Sequence, residues 1–387
     1  MNILYITHGD PRRTDFGSAQ RSHLLWKALR RLGTVYTVYN VGNFDPDATF
    51  DEGERIAAVR FGSPHRIVVA LNVLLSRFCA PVEWPFRSRR FIRSRIPWKG
   101  VAFDCVVVRY LGMTAMTAAW KLAPRLYVDI DDLPTEVFAT IWQEQQVRPL
   151  RGLLRRVVNV WQRFMLRRCR GTWIANGAQV AEVAATCPCR ELRNLALAPS
   201  AAYVRNGAPR RRLMTIGYMG YEPNWQGVDW FLRTCWPALR ARFPDLEYAV
   251  AGGGLDEAHT AEWSVVAGVK VLGYVKDLEA LYAESLAVVA PIRAGAGTCI
   301  KVLEAALYGR AVLATPFAVR GLDAMQRDAL GLTVSERPDD YVAALAALIA
   351  EDAAARAARQ DRIAAAAQTL NSFDRFAQSV REALVLV

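Results

Sequence analysis

Gly295, Gly297, Thr298, Lys301 and Glu304 lie close together in the chain, and their types and spacing suit the binding of a phosphorylated ligand. They sit in a stretch, Ala287 to Leu322, that reads as strand, glycine loop, helix, strand. An apolar run from Leu286 to Ala290 ends at Pro291, and a loop holding Gly295, Ala296 and Gly297 follows. A helical pattern through Val302, Leu303, Ala306 and Leu307 stops at Gly309 before a second apolar run, Ala311 to Ala314. Such a unit leaves backbone N–H groups unpaired at the helix N-terminus, where the macrodipole and those donors favour an anion. Lys301 and Glu304, one turn apart on one side of the helix, place a cation and a carboxylate near the loop mouth. This chemistry suits a nucleotide or a sugar phosphate.

The elements that must hold this loop repeat through the chain. Strand signals alternate with helix signals in both halves, which predicts parallel sheets flanked by helices. In the first half the strands are Asn2 to Thr7, Val35 to Val41, Cys105 to Arg109, Leu126 to Ile130 and Thr172 to Ala175, with a helix from Ala19 to Leu32. The second half carries strands at Leu213 to Tyr218, Glu247 to Ala251, Val269 to Leu272 and Leu286 to Ala290. Helices are expected at Asn224 to Arg242, Asp277 to Glu284, Asp340 to Ala367 and Phe373 to Leu386. At 387 residues two cores are expected rather than one. The stretch from Asn194 to Arg212, rich in Pro, Gly and Arg, reads as the linker. The expected organisation is α/β: a Rossmann-like domain over 1–205, a second over 206–368, and a C-terminal helix over 369–387 returning to the first. Ligands of doubly wound sheets sit outside the carboxyl ends of the strands, so the two domains are expected to face each other across a cleft. Loops His8 to Ser18, Gly217 to Gly227 and Pro291 to Thr298 would line it.

Charge divides the halves. Residues 1–207 hold 30 lysines and arginines against 16 acids, whereas residues 208–387 hold 19 against 21. A basic half predicts an anionic partner for the first domain. The longest apolar run outside expected strands, Ile67 to Leu75, is far short of the ~20 residues that cross a bilayer. Seven scattered cysteines without metal or redox spacing, and an N-terminus that reads as a strand rather than a signal peptide, fit a reducing cytoplasm.

The segment from Pro291 through Lys301 and Glu304, with Gly309 to Thr315 and Arg320 to Leu322, resembles the donor-binding segment of group 1 (family 4) retaining glycosyltransferases of the two-domain GT-B fold. Other pieces agree: Gly17 before Arg21, Leu24 and Leu25; Pro223 and Asn224 with Gly227, Trp230 and Phe231; Ala251 to Gly254; and Gly273 to Asp277. The resemblance implies transfer of a hexose from a nucleotide diphosphate sugar to a lipid-linked or cell-envelope glycan acceptor, with retention at the anomeric carbon. It assigns donor binding to Gly220, Asn224, Gly295, Ala296, Gly297, Thr298, Lys301 and Glu304, with Glu304 on the ribose. Lys301 and Arg293 would offset the departing diphosphate charge. Acceptor binding falls to Gly17, Ser18, Arg21, Arg109 and Asp131. The chain departs from the commoner pattern in three places. Ala296 stands where many members carry a first glutamate, the loop Met219 to Gln226 lacks their Arg and Lys, and Arg109 and Tyr110 stand where many have a histidine. The resemblance implies no cofactor and no metal, since GT-B enzymes seldom need one, and no dedicated protein base, because the leaving diphosphate itself helps deprotonate the acceptor.

Of four histidines, His8 alone lies in an expected cleft loop and is assigned to the catalytic group with Arg293 and Lys301. Asp129, Asp131 and Asp132 end a strand as DIDDLP; acids there cap helices or pair with arginines, and acceptor binding is the functional alternative. Two basic stretches mix arginines with apolar residues: Trp84 to Lys99, and Val147 to Arg170, which has eight arginines and no acid. They suit either an anionic membrane surface, on the inner face of the plasma membrane, or a helix packed on its own sheet with a solvated basic face. No nucleic-acid-reading motif accompanies the charge. Two other function classes are a non-catalytic GT-B partner subunit and a Rossmann dehydrogenase. The latter lacks a Gly-x-Gly-x-x-Gly after the first strand.

Overall fold

The computed structural model describes residues 1–14, 17–40, 50–59, 93–131, 133–140, 151–204, 209–295 and 298–385. Ile67 to Leu75, most of Trp84 to Lys99, Val147 to Leu150, Asp132, Ala296 and Gly297 lie outside them. The chain divides into two units, residues 1–194 with 373–387, and residues 195–372. The division falls between Asn194 and Leu195, earlier than the expected 205/206, and the second unit runs on to Ser372.

The first unit is built on an eight-stranded sheet ordered β3-β4-β2-β1-β5-β6-β7-β8. Its strands are β1 Asn2–Thr7, β2 Thr34–Asn40, β3 Phe50–Asp51, β4 Ile56–Val59, β5 Cys105–Arg109, β6 Leu126–Ile130, β7 Gly171–Ile174 and β8 Cys189–Glu191. All neighbouring pairs are parallel except β3 with β4. β5 and β6 are buried along their whole length, as central strands of a parallel sheet covered on both faces should be. Helix α1, Gly17–Arg30, begins two residues before the expected start, so that Gly17 and Ser18 are its first residues rather than loop. The remaining helices of the sheet are α2 Leu111–Thr117, α3 Pro134–Thr140, α4 Arg151–Leu166 and α5 Val180–Ala184. Leu4, Ile6, Val106, Val108, Val128, Val158, Trp161 and Met165 share one core.

The second unit has a six-stranded, all-parallel sheet, ordered β11-β10-β9-β12-β13-β14. The strands are β9 Arg212–Ile216, β10 Glu247–Ala251, β11 Val269–Gly273, β12 Ala287–Ala290, β13 Ala311–Ala314 and β14 Leu332–Val334. Two helices expected as single are each two. The first is α6 Glu222–Thr234 and α7 Trp236–Arg242, because Pro237 has no N–H to carry the ladder past Cys235. Helix α8, Glu257–Ser264, and helix α9, Leu278–Glu284, start at the capping carboxylates of Asp256 and Asp277. After helix α10, Ile300–Leu307, and helix α11, Ala324–Ala329, the second divided pair is α12 Pro338–Ala350 and α13 Ala353–Leu370. There the Asp352 side chain accepts from the Ala355 N–H and starts a new helix. The last helix, α14 Phe373–Val385, belongs to the first unit, where Phe376, Val380 and Leu384 are buried and contacts run to α1, β7 and β8.

In each sheet strand order reverses beside the first strand of the unit, between β1 and β5 and between β9 and β12. These switch points are where doubly wound sheets open a crevice at their carboxyl ends.

Candidate functional site

In the second unit, the loop after β9 and the start of α10 meet at the switch point. Lys301 is in the first turn of α10, and its Nζ donates to Asn224 Oδ1 at 2.7 Å. Asn224 is in the first turn of α6, and its Nδ2 donates to the Tyr218 carbonyl at 2.7 Å. Gly217, the first residue past β9, makes room for this arrangement: a Cβ there would lie 2.6 Å from Lys301 Cε. The N-cap residue of α10, Cys299, makes no side-chain capping bond, and a helix start without one can offer backbone N–H groups to an anion.

Glu304 follows one turn along α10. Burial pushes its carboxyl up to about 7, against the opposing pull of the Lys301 charge and the Tyr282 hydroxyl. Beneath it the Tyr282 and Tyr308 rings stack at 4.0 Å, 5° from parallel, and Tyr203 meets Tyr308 edge-on at 4.9 Å. Arg310 fixes this layer by donating to the Tyr203 hydroxyl at 2.9 Å. Glu304 therefore stands on a rigid aromatic floor, and its proton is held at a pH where a small change of surroundings moves it.

The glycine loop is pinned from behind. Gly295 has φ +118°, which a glycine adopts without strain, and its carbonyl accepts from Arg320 at 3.3 Å. Thr315 donates to the Ile292 carbonyl. Thr298 is half-buried just before the helix. Gly220 is exposed, with the Tyr218 ring folded across it. Arg293 is occupied elsewhere: it is exposed, pairs with Glu336 at 3.2 Å and lies over the Trp230 ring at 5.1 Å. Lys301, Asn224 and Glu304 are thus brought together, whereas Arg293 is engaged by a surface acid.

In the first unit, three of the residues assigned to the acceptor form one buried cluster. Arg21 and Arg109 face Asp129 and Asp131, so two guanidiniums balance two carboxylates. Arg21 Nη2 meets Asp129 Oδ1 at 2.6 Å, and Arg109 Nη2 meets Asp131 Oδ2 at 2.7 Å. Arg21 Nη1 also donates to the Leu192 carbonyl and to Asn194 Oδ1, both at 2.7 Å. Burial would raise the Asp131 carboxyl, but the Arg109 and Arg21 charges prevail and hold it below the ordinary carboxylate range. Asp129 and Asp131 are accounted for by these arginines.

His8 sits above the cluster, its ring 5.0 Å from Tyr110, whose own ring lies under the Arg109 guanidinium at 4.5 Å. Surrounding protein and the Arg109 charge push the imidazole down to about 4, although much of its surface is open to solvent. It is neutral at physiological pH and could take a proton. Tyr110 carries this constellation on a backbone of φ 69°, an uncommon conformation for a residue with a side chain. Gly17 and Ser18 form the start of α1, where the Ser18 carbonyl accepts from Ser22 Oγ at 2.9 Å.

Sequence reasoning omitted Tyr282, Tyr308, Tyr203 and Asn194 from the site. Tyr308, four residues after Glu304, lies on the same side of α10 by helical spacing; Tyr203, Tyr282 and Asn194 join these groups only through the fold.

Comparison with known proteins gives the class. Residues 210–351 match the family described as Glycosyl transferases group 1. No curated protein matches the chain. Among solved structures, sucrose-phosphate synthase from Thermosynechococcus elongatus has a TM-score of 0.68 at 15% identity, covering 98% of this chain and 97% of that one. The E. coli trehalose-6-phosphate protein bound with UDP-2-fluoro glucose has a TM-score of 0.66 at 12% identity, with 100% of both chains covered. Anabaena HepE, in complex with UDP and glucose, has a TM-score of 0.64 at 16% identity, again with 100% of both covered. The chain thus has the GT-B fold, and residues 210–351, within its second unit, match the group 1 glycosyltransferase family.

Proposed function

We propose that the protein is a retaining glycosyltransferase that moves a hexose from a nucleoside diphosphate sugar to a lipid-linked or cell-envelope glycan acceptor. The observation that carries this reading is the Lys301–Asn224 pair at the start of α10, with the half-buried Glu304 carboxyl one turn beyond. Lys301 and the helix N–H groups offset the charge that grows on the departing diphosphate. Glu304, ionised above pH 7, accepts hydrogen bonds from the ribose hydroxyls. The three structural neighbours hold UDP or a UDP-sugar in two cases, which supports a uridine nucleotide as the first donor to try.

In this reading the second unit takes the donor and the basic first unit takes the acceptor. The donor is a co-substrate, no resident cofactor or metal takes part, and the leaving diphosphate receives the acceptor proton. Arg21, Arg109 and Asp131 shape the acceptor side as a charge-balanced floor, with Tyr110 and His8 above it. The protein works in the cytoplasm on an anionic membrane surface. Among the described residues no helix is long and apolar enough to cross a membrane, so attachment would be peripheral.

Thermal-shift screening of nucleotide sugars, followed by release of the nucleoside diphosphate from the best binder, tests the proposal. A specific donor that raises the melting temperature and is turned over supports it. A donor that binds tightly and is never turned over, with any acceptor or with water, supports the non-catalytic partner reading that Ala296 favours. Binding of no nucleotide sugar refutes both.

A further inference from the structure

We infer that the outward face of α4 is the surface by which the protein lies on an anionic lipid bilayer; this rests on the membrane-peripheral part of the proposed function. Helix α4 carries two apolar stripes where a surface helix of a globular domain has one. The inner stripe, Leu154, Val158, Trp161 and Met165, is buried in the core of the first unit. The outer stripe is Leu153, Val157, Val160 and Phe164, whose spacing of four, three and four residues aligns them on a single helical face. Leu153 is 59% exposed, Val160 68% and Phe164 44%.

Arginines border this outer stripe. Arg156, Arg163 and Arg167 are exposed along one side, and none forms an ion pair among the described residues. On the other side, Arg168 lies over the Phe164 ring at 3.4 Å. The sequence from Val147 to Arg170 contains no acid that could neutralise them. An apolar line flanked by guanidiniums complements a surface with phosphates at one depth and acyl chains just below it. Arginine forks bind phosphate oxygens while Leu, Val and Phe enter the boundary layer. A nucleic acid would satisfy the arginines but would leave Leu153, Val157 and Val160 against water.

The test is sedimentation of the full chain with vesicles of phosphatidylcholine alone or mixed with phosphatidylglycerol. Binding to the mixed vesicles only, weakening as salt rises, is expected. Replacing Arg156, Arg163 and Arg167 by Gln should weaken it about fivefold per residue, about a hundredfold together. Leu153→Ser with Val160→Ser should also release the protein from vesicles. In all variants the thermal shift produced by UDP should stay as in the wild type, since these residues lie in the other unit from Lys301 and Glu304. Wild-type protein that ignores phosphatidylglycerol vesicles, or that prefers a DNA duplex to them, overturns the inference. So does undiminished vesicle binding by the variants. Failure of donor turnover leaves the vesicle result standing, so the two readings fail separately.

Discussion

Replacing Glu304 by Gln should make the unliganded protein more stable above pH 7 while weakening its hold on nucleotide. The carboxyl is raised from an ordinary 4.5 to about 7 in the folded chain. Between those values the folded protein keeps a proton that the unfolded chain has released, so stability falls as pH rises from about 4.5 to about 7 and stays lower beyond. At about 1.4 kcal/mol per pH unit, the ionised carboxylate costs about 3 kcal/mol at pH 8, an order-of-magnitude figure. Glutamine keeps the shape without the charge. The second unit should then unfold roughly 6–12 °C higher than wild type at pH 8, and at nearly the same temperature at pH 4. Calorimetry at the two pH values measures this, and nucleotide titration at pH 8 should show weaker binding for the variant. A Glu304→Gln protein that is less stable than wild type at pH 8 refutes the reasoning, because the carboxylate would then be worth more to the fold than its burial costs.

Lys301→Ala should weaken binding of a nucleoside diphosphate by about thirtyfold to a hundredfold by titration calorimetry, the loss of a charge-assisted contact, with less effect on a nucleoside lacking phosphate. Gly217→Ala should do so indirectly, since a Cβ 2.6 Å from Lys301 Cε pushes the side chain from Asn224; unchanged affinity would show that Lys301 has room elsewhere. Asp129→Ala leaves Arg21 and Arg109 without one of their two buried carboxylates and should destabilise the first unit by about 3–5 kcal/mol in urea unfolding. A loss as small as an exposed substitution gives would mean that the cluster relaxes or takes up water.

The sheets were legible because buried parallel strands are short continuous apolar runs, and Cys105–Arg109, Leu126–Ile130 and Glu247–Ala251 have the expected bounds. Helix ends were less so. Pro237 and Asp352 are local stop and start signals inside longer helical patterns, and periodicity overrode them. The part of the candidate site around Lys301 and Glu304 is compact in sequence, so its strand, loop and helix could be read directly. The aromatic floor could not, because Tyr203, Tyr282 and Tyr308 come from three separate segments. Arg21 and Asp131 were each recognisable, yet their mutual neutralisation spans more than a hundred residues and leaves no periodic trace. Pairing is a property of the folded sheet, not of spacing.

The chain leaves the first unit after Asn194 and returns to it only at Phe373. Where it crosses, Asn371 clasps Ala196, its Oδ1 accepting from the Ala196 N–H and its Nδ2 donating to the Ala196 carbonyl, each at 2.9 Å. The order of completion during synthesis is therefore inverted. The whole of the second unit leaves the ribosome before α14 can seat Phe376, Val380 and Leu384 in the first unit. Until then the N-terminal sheet waits with an uncovered apolar patch. The first unit, begun first, is finished last.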